Sequence, residues 1–129
     1  MSRYLLDTHA VLFWWAGSRK LGGAAHATIS QSDSVLFVSA ASAWEIATKF
    51  RNGKLNHIGD PAATFPALMQ RNAFMSLSVT DAHALRAGGL PGRHSDPFDR
   101  IIAAQALVEN LTVITRDPEI AAFGCKVLW

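Results

Sequence analysis

The chain has 129 residues, of which 50% are hydrophobic and 17% are charged, so its composition fits one folded domain spanning residues 1–129 and excludes a disordered chain. Its single cysteine, Cys125, excludes a disulfide framework and a cysteine-rich zinc site. A net charge of +2 permits nucleic-acid binding without requiring it. Asp7 and His9 interrupt the first apolar run, and no stretch is long enough to span a bilayer. We therefore expect a cytoplasmic protein with no membrane association.

Apolar, partly β-branched runs alternate along the chain with helical patterns. Strands are predicted at residues 3–6, 35–38, 74–79, 111–115 and 126–128. Helices are predicted at residues 8–15, 24–31, 39–52, 61–72, 80–86 and 97–109, with a short one opening at 117–118 and a glycine-rich loop at 88–92. This alternation is typical of an α/β fold in three layers, α/β/α, with helices on both faces of a parallel sheet of about four to five strands.

The helix predicted at residues 39–52 carries an acid, Glu45, within its apolar face. The residues of that face are Ala43, Trp44, Ile46, Ala47 and Phe50. An acid at this position would point into the interior and would need a partner there. The alternative is a capping box, Ser42-x-x-Glu45, in which the acid only satisfies backbone groups at the start of a helix.

Four aspartates stand where a predicted strand ends or a predicted helix begins. Asp7 and Asp117 follow apolar strands, Asp96 precedes Pro97, and Asp99 lies in the first turn of the next helix. Each has an ordinary explanation as a helix cap or as an acid that favours the positive end of a helix. As a set, however, they would meet at the carboxyl ends of parallel strands, where α/β proteins place their functional crevice. Carboxylates gathered there would repel one another unless a divalent cation held them together.

The histidines and the basic residues offer weaker signals. His9 lies near Asp7 and His94 precedes Asp96, so the two could act as a general acid and base. Neither shows the paired spacing typical of a metal site, and we expect surface or partly buried histidines. Lys49, Arg51 and Lys54 are expected on a solvated helix end, with phosphate binding as the alternative.

Trp14 and Trp15 are adjacent on a short predicted helix. Neighbouring helical residues point about 100° apart, so both cannot easily enter one core. We therefore expect one of them in an exposed apolar patch that binds a partner. The alternative is that a neighbouring helix covers both.

Four segments together resemble the PIN-domain family, and especially the VapC-type toxins of prokaryotic toxin–antitoxin pairs. The segments are Leu5-Leu6-Asp7-Thr8-His9, residues 39–46, residues 96–104 and residues 111–117. Each segment alone is a weak signal, but the four occur in the family's order and the match covers nearly the whole chain. Between Asp96 and Asp99, the second stands directly before Arg-Ile-Ile-Ala-Ala and matches the family's acid better.

The resemblance implies a PIN-like fold and a ribonuclease that depends on Mg²⁺ or Mn²⁺, which suits an oxygen-rich ligand set. It implies a homodimer, an RNA substrate and a VapB-like antitoxin partner, and cleavage products with a 5′-phosphate. The implied catalytic residues are Asp7, Glu45, Asp99 and Asp117; the implied metal ligands are these four with Asp96; the implied supporting hydroxyls belong to Thr8 and Thr115. Two alternatives stay open. One is a non-catalytic PIN scaffold that only binds protein or RNA. The other is a phosphotransferase with Asp7 as nucleophile, although His9 stands where such a site would want a second aspartate.

Overall fold

The computed structural model describes residues 2–129 and is built on a sheet of five parallel strands. The strands are β1 (Arg3–Leu6), β2 (Val35–Ser39), β3 (Met75–Leu77), β4 (Thr112–Ile114) and β5 (Val127–Leu128). The helices are α1 (Thr8–Ala16), α2 (Gly23–Ser30), α3 (Ala40–Arg51), α4 (Pro61–Arg71), α5 (Asp81–Gly89), α6 (Pro97–Glu109) and α7 (Pro118–Ala122). The predicted α/β fold with a central parallel sheet is confirmed.

Strand β1 shows how the core is divided between the two faces of the sheet. Leu5 and Leu6 are both fully buried, and because successive side chains of a strand point in opposite directions they enter different clusters. Leu6 packs with residues of α1, α2, α3 and α4. Leu5 packs with Ile102 of α6 and Ile120 of α7. Helices therefore cover both faces, which explains why the strands read as continuous apolar runs.

The strand order is β3-β2-β1-β4-β5, so the chain adds strands first on one side of β1 and then on its other side. The chain builds outward from β1 to β2 and β3, and then returns to pair β4 with the other side of β1. Open α/β sheets bind ligands outside the carboxyl ends of the strands at such a switch point. In this chain the switch point lies between the ends of β1 and β4, where Asp7 and Thr115 follow directly.

Two predicted boundaries are wrong for reasons that depend on packing. The strand predicted at residues 74–79 is only three residues long. It starts later because the turn that follows α4 includes Phe74: Ala73 is left-handed at φ 53° and the Phe74 N–H bonds the Met69 carbonyl. The glycine-rich loop predicted at residues 88–92 starts later, because α5 continues through Gly89. Glycine costs a helix about 1 kcal/mol, and the packing of Ala87 against α6 offsets it.

The buried stripe of α3 is rotated relative to the predicted one. Ser39 caps the helix, and the stripe consists of Ala41, Ser42, Glu45 and Ile46. Trp44 is 66% exposed, so its assignment to an apolar inner face is wrong. The polar side chains of Ser42 and Glu45 point inward in place of Trp44. Within residues 2–129, no helix combines the length and the hydrophobicity needed to cross a bilayer.

Candidate metal centre

Asp7 is the most deeply buried acid of the crevice. It directly follows β1 and is only 4% exposed. Its Oδ1 accepts the Ala10 N–H at 2.8 Å, so it caps α1 as an ordinary helix cap would. Its Oδ2 accepts the Thr115 hydroxyl at 2.5 Å, and that hydroxyl in turn accepts the Asp117 N–H at 3.0 Å. Thr115 therefore ties the ends of β1 and β4 together.

Asp117 shares an open pocket with Asp7. The pocket has a volume of about 290 Å³ and is also lined by His9, Arg116 and Pro118. Asp117 caps α7 through Oδ1, which accepts the Glu119 N–H at 2.9 Å. A carboxylate has two oxygens and about four acceptor positions, so the capping bond leaves capacity for a cation. The capping and metal-binding interpretations of these aspartates are thus compatible.

Asp99 extends the acidic cluster to the other side of the crevice. It lies in the first turn of α6, and its Oδ2 is 2.8 Å from Nε2 of His94. One potential ligand atom from each of Asp99, His94 and Asp117 lies within 4.8 Å of the other two. Two separate segments of the chain, residues 94–99 and Asp117, therefore bring donors close together.

Glu45 of α3 is 7% exposed, and its charge acts on Asp99. Its Oε2 pairs with Nζ of Lys49 at 3.1 Å, one helical turn further along. Its Oε1 is buried, and no hydrogen-bond partner for it exists within residues 2–129. A buried carboxylate oxygen without a partner is costly, so a bound cation or an ordered water would stabilise this atom.

The remaining predicted residues have supporting positions. Asp96 caps α6, because its Oδ1 accepts the N–H groups of Phe98 and Asp99. The hydroxyl of Thr8 is buried and lies 3.0 Å from that of Ser42, which joins α1 to α3 beneath the acids. Because Ser42 lies inside α3 and not at its start, the capping-box alternative for Glu45 is wrong.

The electrostatics of the crevice disfavour the ionised carboxylates. Burial raises the pKa of Asp7 above its ordinary value, even though the Thr115 and Ala10 hydrogen bonds act in the opposite direction. Burial also raises the pKa of Asp99 to about 6, and the charges of Asp117 and Glu45 contribute to the rise. The acids therefore repel one another as like charges in a partly buried site.

The donors fit a divalent cation. Carboxylate oxygens dominate, which is the ligand chemistry of Mg²⁺ and Mn²⁺. A cation would relieve the mutual repulsion that raises the pKa of Asp99, and it would give the buried Glu45 Oε1 a partner. Of the predicted ligands, Asp7 and Asp117 line one pocket and Asp99 clusters with Asp117. Glu45 and Asp96 are near enough for their charges to raise the pKa of Asp99.

The sequence does not predict that His94 lies beside Asp99; it predicts a surface or partly buried histidine, or a general acid or base. The neighbourhood of His94 depends on Arg100, whose guanidinium donates to the carbonyls of Ala87, Leu90 and His94 and so folds the intervening loop back onto α6. An arginine that follows an acid in a sequence carries no visible sign of such a role.

The expectation that Trp14 or Trp15 lies in an exposed patch is wrong. Both are half-buried against the main core cluster. The Trp14 indole N–H donates to Asn72 at 3.0 Å, and Trp15 packs near Phe65 of α4. Helix α4 and its C-terminal cap therefore cover both tryptophans, which agrees with the alternative that a neighbouring helix covers them. The exposed tryptophan is Trp44 instead.

Comparisons with known proteins agree with this fold. The model of the PIN domain family matches residues 4–124. Ribonuclease VapC22 of Mycobacterium tuberculosis is 28% identical over 118 residues, which cover 91% of this chain and 88% of that protein. The crystal structure of VapBC2 from Rickettsia felis, bound to a DNA fragment from its promoter, has a TM-score of 0.72 at 14% identity and covers 98% of this chain and 97% of that one. Mycobacterium tuberculosis VapC20, a sarcin-ricin loop cleaving toxin, has a TM-score of 0.66 at 17% identity, with 95% of each chain covered. At these identities the solved structures support the fold alone.

Proposed function

This chain belongs to the PIN domain family, and from that membership we propose that it is a metal-dependent endoribonuclease and the toxin of a toxin–antitoxin pair. The observation that carries the proposal is the closeness of acids from separate elements: Asp7 and Asp117 line one pocket, and a ligand atom of Asp99 lies within 4.8 Å of one of Asp117. The charge of Glu45 acts on Asp99, and one buried Glu45 oxygen has no partner among residues 2–129. The similarity to Ribonuclease VapC22 supports RNA as the substrate.

Each acid has a role in this proposal. Asp7, Asp99 and Asp117 would hold Mg²⁺ or Mn²⁺ through their carboxylate oxygens. Glu45 either adds Oε1 as a further ligand or accepts a hydrogen bond from the attacking water. Asp96 holds the start of α6 in place and contributes its negative charge at the rim of the crevice. Thr115 fixes Asp7 and the Asp117 backbone relative to each other, and Thr8 supports α1 from below.

The chemistry proposed is hydrolysis of a phosphodiester without a side-chain nucleophile. A bound divalent ion lowers the pKa of water and neutralises charge on the phosphodiester. The strand ends and helix starts would hold the acids around such an ion, and its positive charge would favour their ionised forms over the protonated forms that burial favours. The expected products carry a 5′-phosphate and a 3′-hydroxyl.

The main alternative is a PIN scaffold that binds a partner without cleaving RNA. It gives no reason for a complete acidic set or for the buried oxygen of Glu45. A second alternative, acid–base chemistry through His9 and His94, needs no metal. Cleavage of structured RNA by the purified chain, with Mn²⁺ and then with excess chelator, separates the three: only the proposed enzyme cleaves with metal and stops without it.

For the partners, we propose a VapB-like antitoxin and a homodimer in the cytoplasm. Several similar structures are toxin–antitoxin complexes by their own descriptions, which supports the first. For the dimer, the exposed ring of Trp44 packs edge-on against Phe98 and borders an apolar groove of about 300 Å³ that also includes Val79. Exposed apolar surface of this kind is typical of a subunit contact.

A further inference from the structure

His94 is held beside Asp99 by the loop between α5 and α6, which Arg100 fixes through hydrogen bonds. Arg100 of α6 donates to the backbone carbonyl of His94 itself at 2.9 Å and to that of Ala87 at 3.0 Å, and it also bonds Leu90. The guanidinium lies 5.4 Å over the ring of Phe123, and the imidazole lies 6.1 Å from the same ring. The loop between α5 and α6 is therefore fixed, and it presents the imidazole to Asp99.

The spacing of the donors fits a shared cation. Two ligand atoms at right angles around an ion, each about 2.1 Å from it, lie about 3 Å apart. The Nε2 atom of His94 and Oδ2 of Asp99 are 2.8 Å apart. Asp117 also offers an oxygen, and all three ligand atoms lie within 4.8 Å of one another.

A second, independent observation points to a ligand at this place. Oε1 of Glu45 is buried and has no partner among the residues that the structure describes. Glu45 is close enough to Asp99 for its charge to act on that carboxyl. An unpartnered carboxylate oxygen therefore belongs to a residue whose charge reaches the Asp99 side of the crevice.

We propose that His94 is a direct ligand of the metal centre, which makes the donor set of this chain mixed nitrogen and oxygen. The inference rests on the proposed function and deepens it. Imidazole nitrogen binds first-row transition ions better than it binds Mg²⁺, a hard ion that prefers oxygen. The chain consequently prefers Mn²⁺ or a similar transition ion over Mg²⁺. The all-oxygen set that the sequence predicts gives no such preference.

The test is pulsed electron paramagnetic resonance on the full chain loaded with one equivalent of Mn²⁺. The expected result is modulation from a directly bound imidazole ¹⁴N, which changes to that of ¹⁵N when the protein is made with ¹⁵N-histidine. His94→Gln should remove the modulation. His9→Gln is the matched control, because His9 lines the same crevice on the Asp7 side and should leave it intact.

Calorimetric titration adds a second readout that does not depend on catalysis. His94→Gln should weaken Mn²⁺ binding at least about tenfold, the scale seen when groups that hold a metal site are lost, and should change Mg²⁺ binding much less. Equal losses for both ions would mean that His94 only orients Asp99, and would overturn the proposal. So would bound Mn²⁺ without imidazole modulation in the wild-type chain.

The outcomes for the two proposals are distinguishable. If Mn²⁺ binds but shows no imidazole nitrogen, only the His94 assignment fails. If no Mn²⁺ binds at all, the proposed metal-dependent function fails with it. Should His94→Gln not fold, a ¹⁵N-histidine chain carrying His9→Gln decides the question. Among residues 2–129, His9 and His94 are the histidines that border the crevice, so modulation that persists is assigned to His94, and its loss overturns the assignment.

Discussion

Replacing Asp99 with Asn should stabilise the metal-free chain at neutral pH. Burial raises the pKa of this carboxyl from 3.8 to about 6, so its ionised form is unfavourable in the folded state. At about 1.4 kcal/mol for each pKa unit, the shift corresponds to about 3 kcal/mol. The side chain is 20% exposed, and solvent screening reduces the realistic gain to about 1–2 kcal/mol. The amide oxygen of Asn can still accept a hydrogen bond from His94.

The pH dependence of this gain has a definite sign. Because the folded pKa lies above the unfolded one, the folded state binds the extra proton, and stability falls as pH rises from about 4 to about 6. Asp99→Asn removes that fall. Its melting temperature should exceed that of the wild type by about 3–8 °C at pH 7.5, and the difference should be small at pH 4.

The assay is thermal unfolding followed by circular dichroism, in EDTA at both pH values. Asp33→Asn is the matched control, because Asp33 is exposed in a turn and should change little at either pH. Excess Mn²⁺ should raise the melting temperature of the wild type and of the control, but much less that of Asp99→Asn. If Asp99→Asn melts below the wild type in EDTA at pH 7.5, the carboxylate stabilises the empty site and the electrostatic reasoning is refuted.

Three other changes test separate parts of the account. Asp7→Asn should abolish RNA cleavage while circular dichroism shows an intact fold, since the amide keeps the shape of the buried carboxylate; a cleaving variant would remove Asp7 from the site. Trp44→Ser should convert a dimer to a monomer in analytical ultracentrifugation, whereas Leu85→Ser, at an equally exposed position of α5, should not; a dimeric Trp44 variant would place the subunit contact elsewhere. Arg100→Lys should lower the free energy of unfolding by about 2 kcal/mol, because an ammonium cannot satisfy three carbonyls in the same geometry; urea unfolding measures this, and an unchanged midpoint would contradict it.

The alternation of strands and helices was readable from the sequence because its signals are local. Asp7, Asp96 and Asp117 each cap a helix through their own neighbours, and Gly17 ends α1 in the left-handed conformation at φ 62°. Parallel strands then place their carboxyl ends together, so the acids could be expected to meet. The strand order, and with it the switch point between β1 and β4, depends on how the whole chain folds, and no single residue indicates it.

What the sequence could not show depends on contacts between distant segments. The rotation of α3 about its own axis leaves Trp44 exposed and buries Ser42 against Thr8. That rotation depends on the position of α1. The covering of Trp14 depends on Asn72, at the end of α4. The place of His94 depends on a loop that Arg100 holds, and periodicity contains no information about such a loop.

The most direct test of the central claim is a map of RNA ends produced by the purified chain. Total RNA is incubated with wild-type protein and Mn²⁺ or Mg²⁺, and new 5′-phosphate ends are sequenced, with a parallel sample in excess EDTA and another with Asp7→Asn. The account predicts discrete new 5′-phosphate ends with metal, none with EDTA or with the variant, and recovery when metal is restored. Undiminished cleavage in EDTA, or no cleavage with either ion, would contradict it.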